Sequence, residues 1–474
     1  MTKSRKHIRI LTVASSLAAL LALLPATRLP AQSSAASSLY ADAAEKLRRL
    51  GLQDERAYDL LRDLTALGPR LTGSPQAAAA VTLTAQMMQD LELDDVHYET
   101  VTVSRWVRGE AESASIVGSS LVGDRPMSVC ALGGSVPTSE VGVTAPVVEV
   151  KSLQDLAKIG AQVKGKIVFF NRAMDRSQGD VFAAYGVAAE QRVRGAADAA
   201  KLGAVAVLIR SLTLRIDDHP HTGAVEYESQ APKIPAAAIS TRDAEFLSAL
   251  VRRDQNVRVR LQLNSRTLAP VTSVNVVGQI TGTAIPNEVV LVGGHLDSWD
   301  LSPGAHDDGA GCVIALEALR LIKDAGLKPR RTIRAVMFMD EENGGTGGAF
   351  YVKDPRRKTE RHIFAMESDR GGFLPILVAA GQNGQPRVFE KIRGWESLFL
   401  PLGIREFIRG GGAVDIGPLS TQGTVFASVV PDSQRYFDVH HSALDVLAAV
   451  HPRELELNAV ATALLAYLVS QEGL

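Results

Sequence analysis

The chain has 474 residues, of which 51 are Lys or Arg, 52 are Asp or Glu and 46% are hydrophobic, for a formal charge of −1. This composition builds a sizeable core and excludes wholesale disorder, and the lack of a basic surplus excludes a nucleic-acid partner. Two cysteines far apart, Cys130 and Cys312, exclude a disulfide scaffold, and at about 150 residues per domain the length allows about three folded units, or fewer large ones.

Lys3, Arg5, Lys6 and Arg9 precede an apolar stretch over 10–24, a small-residue exit to Ala31 and a serine-rich segment to Ser38. That is the grammar of a secretory signal peptide, read over residues 1–31. The apolar stretch, at about 15 residues, falls short of the about 20 that a bilayer-spanning helix needs. The reading is an exported protein, extracellular or periplasmic, with no membrane partner.

Apolar residues at helical spacing predict helices over 41–50, 56–67 and 76–93, the last two separated by Gly68-Pro69-Arg70-Leu71-Thr72-Gly73-Ser74. Alternation predicts a strand over 97–107. From 113 to 266 short β-rich runs (147–150, 166–170, 205–209, 257–263) mix with glycine turns and one alanine-rich helix near 186–202. This reads as a smaller, β-dominated domain inserted between two parts of a larger one, 39–112 and 267–474. From Val271 onward strands are predicted at 274–280, 288–293, 332–339, 362–366 and 374–380, with helices at 311–325, 348–352 and 453–469. Strand–helix alternation implies an α/β fold, a mostly parallel mixed sheet flanked by helices. Such sheets bind ligands beyond the carboxyl ends of their strands.

Polar clusters fall at those ends. In Gly294-His295-Leu296-Asp297 an imidazole can bind metal while a carboxylate two residues on holds the ring, or the histidine is an ordinary loop residue. Asp307-Asp308-Gly309 opens a helix, so an aspartate either caps it or bridges two cations. Asp340-Glu341-Glu342-Asn343-Gly344-Gly345 is either a solvated acidic run or a proton-handling base beside a metal ligand. Glu367-Ser368-Asp369 and His440-His441-Ser442-Ala443-Leu444-Asp445 complete the set. Together they offer imidazoles and carboxylates in the mixture that suits Zn²⁺, with a shared carboxylate suiting a pair of ions about 3.5–4 Å apart.

These motifs, with Asp415-Ile416-Gly417-Pro418-Leu419, stand in an order that resembles the co-catalytic zinc exopeptidases, which include bacterial secreted aminopeptidases and glutamate carboxypeptidases. The resemblance covers nearly the whole mature chain and implies two Zn²⁺. His295 and Asp369 would hold one ion, Glu342 and a C-terminal histidine the other, and Asp307 would bridge them. Glu341 would be the general base acting on a metal-bridging hydroxide, and the Asp307-Asp308 peptide would be cis. His441 fits the family's His-Ser/Thr-x-x-Asp pattern, with His440 the alternative. Asp297 and Asp445 are expected to orient His295 and His441, with Asp308 also behind the ligands. The middle segment resembles a protease-associated domain, and a homodimer is suggested.

Gly411, Gly412 and Asp415 are expected to border the substrate, because glycine lets backbone approach a ligand closely. His306 stands where the family has a small or apolar residue, which leaves its access to the metals open. No basic cluster for gripping a glutamate side chain is evident. The leading reading is a peptidase acting on dipeptides or short peptides at a free terminus. The alternatives are a same-fold amide hydrolase or glutaminyl cyclase, and an inactive binding protein on this scaffold.

Overall fold

The structure, a computed structural model, describes residues 35–474 apart from 111, 229–230, 255 and 382–384, so the leader read at 1–31 lies outside the described residues. Strand Ile285–His295 is buried from Val289 to its end because parallel neighbours flank it, Arg331–Phe338 on one side and Arg361–Glu367 on the other. Val425–Pro431 adds a further parallel strand beside Arg361–Glu367. Antiparallel pairings extend both edges. The full eight-strand order is Asp94–Val107, Arg266–Ile280, Arg331–Phe338, Ile285–His295, Arg361–Glu367, Val425–Pro431, Pro375–Ala380, Glu406–Arg409. A mixed sheet flanked by helices is the architecture expected.

Strand periodicity sends Val290 and Val292 to one face and Leu291 to the other, all at 0–1% exposure. On the first face they meet helices Ala310–Asp324 and Pro452–Glu472, whose apolar residues pack in the same core cluster. On the second, Leu291 joins Val336, Phe338, Tyr351 and Phe426. Each such side chain contributes about 1.5–3 kcal/mol, and burial on both faces is what holds the strand ends, and the polar residues on them, in place.

Residues beyond Val107 leave this sheet and return at Arg266, the two positions being paired partners in the antiparallel ladder of Asp94–Val107 with Arg266–Ile280. Between them lies a second eight-stranded sheet. It is less β-dominated than its sequence texture implies. Helices Leu153–Ile159 and Thr241–Val251 accompany the alanine-rich helix, which begins earlier than expected, at Val181, because Asp180 accepts the N–H groups of Phe182 and Ala183 as its N-cap. Strands Glu406–Arg409 and Val425–Pro431 were likewise not anticipated from the sequence. No helix among the described residues is long and apolar enough to cross a membrane.

Candidate metal centre

His295 is the last residue of the central strand, and Asp369 follows the neighbouring strand by two residues. Asp307 lies before helix Ala310–Asp324, in a cis peptide with Asp308. These elements bring Oδ1 of Asp307 to 3.3 Å from Nε2 of His295, and its Oδ2 to 3.2 Å from Nε2 of His441. Asp369 faces the His295 side at 3.7 Å, and Glu342 faces His441 at 3.1 Å. Oδ2 of Asp307 and Oε1 of Glu342 are buried with no hydrogen-bond partner, which in a folded interior calls for a cation or water. His440 stacks on His441 with ring centroids 3.5 Å apart, and its Nε2 lies 3.7 Å from Oδ2 of Asp307, so His441 is the nearer of the two.

The electrostatics follow from burial plus pairing. Desolvation pushes Asp307 up, but His295 and His441 outweigh it and hold its carboxyl well below the usual range. The imidazoles respond in kind: against burial, His441 is raised to about 9 by Glu342 and Asp307, and His295 is raised well above its ordinary value by Asp307 and Asp369. Burial raises Glu341 well above the ordinary carboxylate range against the pull of His295, with Asp369 and Glu342 adding to the rise. A cluster of this kind is one that divalent cations neutralise.

The supporting residues do not all act as the sequence suggests. Nδ1 of His295 lies 3.0 Å from the backbone carbonyl of Asp297, and the Asp297 carboxylate is more distant at 3.8 Å. That carboxylate instead accepts the backbone N–H groups of Asp340, Glu341 and Glu342, and the Thr72 hydroxyl at 2.7 Å. Asp445 does not reach His441: its oxygens accept the N–H groups of His306 and Asp307 at 2.7 and 3.1 Å, which holds the backbone of Asp307. Asp308 accepts from the N–H groups of His295 and Gly311, tying strand end to helix start. His306 is turned away from the carboxylates, stacked on Phe373 with Nδ1 accepting from Gly372 N–H and Nε2 against the Ala449 carbonyl.

The glycine loop also behaves differently. Gly411 and Gly412 line a separate cavity with Arg370, Ile376 and Ser428. A Cβ on Gly411 would come within 2.6 Å of Ala427 Cα, so this glycine admits a neighbouring strand. Asp415 is buried, accepting the N–H of Gly348 while its own N–H donates to Glu367.

Several site residues had no assigned role in the sequence. Arg70, fully buried, donates to the carbonyls of Leu296, Pro303 and Gly304 and so braces the loop between His295 and Asp307. Its motif, Gly68-Pro69-Arg70, was the available signal. Trp299 donates to Glu342 at 2.6 Å. Phe182, Tyr185 and Arg192 come from the second sheet's unit and line, with Asp307, Glu341, Glu342, Asp369, His441 and others, a cavity of about 400 Å³.

The chain matches the model of Peptidase family M28 over residues 275–463. It is 36% identical over 436 residues to carboxypeptidase Q of Bos taurus, covering 91% of this chain and 89% of that protein. Among solved structures it resembles a peptidase M28 precursor from Shewanella amazonensis SB2B (TM-score 0.88, 35% identity, 92% of this chain and 98% of that one). It also shares the fold of BSAP, a zinc aminopeptidase from Bacillus subtilis (TM-score 0.61, 23% identity, 87% and 93% covered).

Proposed function

Because the chain belongs to peptidase family M28 and is a metallo-exopeptidase, we propose that it hydrolyses dipeptides or short peptides at a free terminus using two zinc ions. In this reading His295 and Asp369 hold one ion, Glu342 and His441 the other, and Asp307 is shared. The observation that carries it is the divided carboxylate of Asp307, one oxygen 3.3 Å from His295 and the other 3.2 Å from His441. Oδ2 of Asp307 and Oε1 of Glu342, both buried without a hydrogen bond, support a cation between these groups.

Bound zinc would supply Lewis acidity, bringing the pKa of water towards about 7 and polarising the scissile carbonyl. The protein's part is proton transfer and placement. Glu341 lines the cavity, where its carboxyl feels the charges of His295, Asp369 and Glu342. It takes a proton from the attacking water and returns it to the leaving amine, a role worth about 10²–10⁴-fold. Phe182 and Tyr185 wall one side of the cavity, which suits a short peptide. Residues 113–266 form, on this reading, an insertion of the protease-associated type, and the protein is exported with loss of its leader and assembles as a homodimer.

Elemental analysis followed by hydrolysis of free, N-blocked and C-blocked dipeptides tests the proposal. Two zinc ions per chain and cleavage of unblocked dipeptides are expected. One zinc with cyclisation of N-terminal glutamine, or cleavage restricted to acylated amino acids, would replace it with the same-fold alternative.

A further inference from the structure

His441 sits at a positive φ of 60°, and what holds it is not part of the sheet that carries the other ligands. The N–H of Thr222 donates to the His441 carbonyl at 2.9 Å, and Nδ1 of His441 lies 3.3 Å from the Thr222 carbonyl oxygen. One residue earlier, Nδ1 of His221 lies 2.6 Å from the His440 carbonyl oxygen. Residues 221–223 are in turn fastened to their own unit. The N–H of His221 donates to Ser211 Oγ, the hydroxyl of Thr222 donates to the Ala131 carbonyl, and the N–H of Gly133 donates to the Gly223 carbonyl.

Gly223 lies against both His441 and Arg192. Its φ is +128°, and a Cβ there would stand 2.8 Å from Nδ1 of His441 and collide with the guanidinium of Arg192. That guanidinium, 3.4 Å from the Thr222 carbonyl, shares the acceptor with His441. An imidazole that binds metal through Nε2 carries its proton on Nδ1, and the acceptor of that proton fixes both ring and tautomer. Asp445 cannot fill this role while it holds His306 and Asp307.

We propose that His221-Thr222-Gly223 is the positioning element for the metal ligand His441, with the Thr222 carbonyl accepting the Nδ1 proton. Metal affinity at the Glu342–His441 position then depends on how the second sheet's unit docks against the first. The proposal rests on the reading of His441 as a ligand.

Stepwise zinc titration of the metal-free full-length chain, in competition with a chromophoric chelator, resolves the two binding steps. Gly223→Ala is expected to weaken one step by about 10–100-fold and leave the other within about twofold. His221→Leu weakens the same step, and His221→Asn, whose amide N–H can reach the His440 carbonyl, restores it. The His221 pair decides the matter if Gly223→Ala does not fold. Equal weakening of both steps together with a lower apo melting temperature would show a merely structural role and overturn the proposal. So would unchanged affinities in every variant while the wild type binds two ions. A wild-type chain that takes up no zinc would overturn the metal reading itself.

Discussion

The indole N–H of Trp299 donates to Oε2 of Glu342 at 2.6 Å. The same oxygen lies 3.1 Å from His441, while the other, Oε1, is buried and unpartnered. The indole therefore fixes which way the carboxylate can present its remaining oxygen. Trp299 is held in turn by contact with Gly133, where any Cβ would collide with the ring. Trp299→Phe keeps most of that packing and removes the donor. It should weaken metal binding by about 10-fold, the low end of the range for an outer partner of a ligand. Metal titration alongside a melting curve checks this, and unchanged affinity would remove Trp299 from the orienting role.

Glu341→Gln should leave the cavity, the fold and the zinc content intact and lower kcat by about 10²–10⁴-fold. The amide cannot accept the proton, yet the loop is held through the Glu341 backbone, whose N–H donates to Asp297 at 3.1 Å. Steady-state kinetics with elemental analysis separates the two effects. A variant that turns over at the wild-type rate excludes Glu341 as the base.

The candidate ligands were legible in the sequence because each sits in a short polar motif, several of them just past a buried strand, where apolar runs give way to charge. His295 closes Ile285–His295, and Asp369 follows Arg361–Glu367. Their supporting partners were not, because a buried carboxylate goes to whichever N–H groups lack an acceptor, and sequence proximity does not reveal those. Asp297 is two residues from His295, but its oxygens are taken by the N–H groups of Asp340, Glu341 and Glu342. The Thr222 carbonyl and Arg192 meet His441 across 219 and 249 residues of chain, and nothing local marks either. At Gly411 the close approach is made by strand Val425–Pro431, a long-range contact that the local sequence does not mark.

Asp297→Ala should therefore act on the acidic loop more than on His295. Removing the carboxylate leaves the N–H groups of Asp340, Glu341 and Glu342 and the Thr72 hydroxyl without their acceptor. The cost is about 1–3 kcal/mol for a buried donor left unsatisfied, and metal affinity falls by about 10–100-fold. His295 keeps the Asp297 backbone carbonyl at 3.0 Å, so the weakened step should be the one that Glu342 serves. Denaturant unfolding and stepwise titration measure the two losses. A variant with both binding steps intact would show that the loop holds its shape without Asp297.

Far from the candidate metal centre, Glu456 on the C-terminal helix accepts the N–H of Ala57 at 2.6 Å, serving helix Arg56–Thr65, whose own N-cap Glu55 provides no side-chain bond. Burial raises its carboxyl to about 8, and the Glu317 carboxylate nearby adds to the rise. A folded-state value above the ordinary 4.5 means that the native chain binds the proton more tightly than the unfolded one. The stability this brings is fully present below about pH 4.5 and is lost as pH climbs to about 8, at up to about 1.4 kcal/mol per pH unit. Glu456→Gln retains an acceptor for Ala57 and cannot ionise. It should flatten that slope and be more stable than the wild type at pH 9, as urea unfolding across the range would measure. Parallel pH profiles for variant and wild type would mean that Glu456 keeps the same proton affinity folded and unfolded.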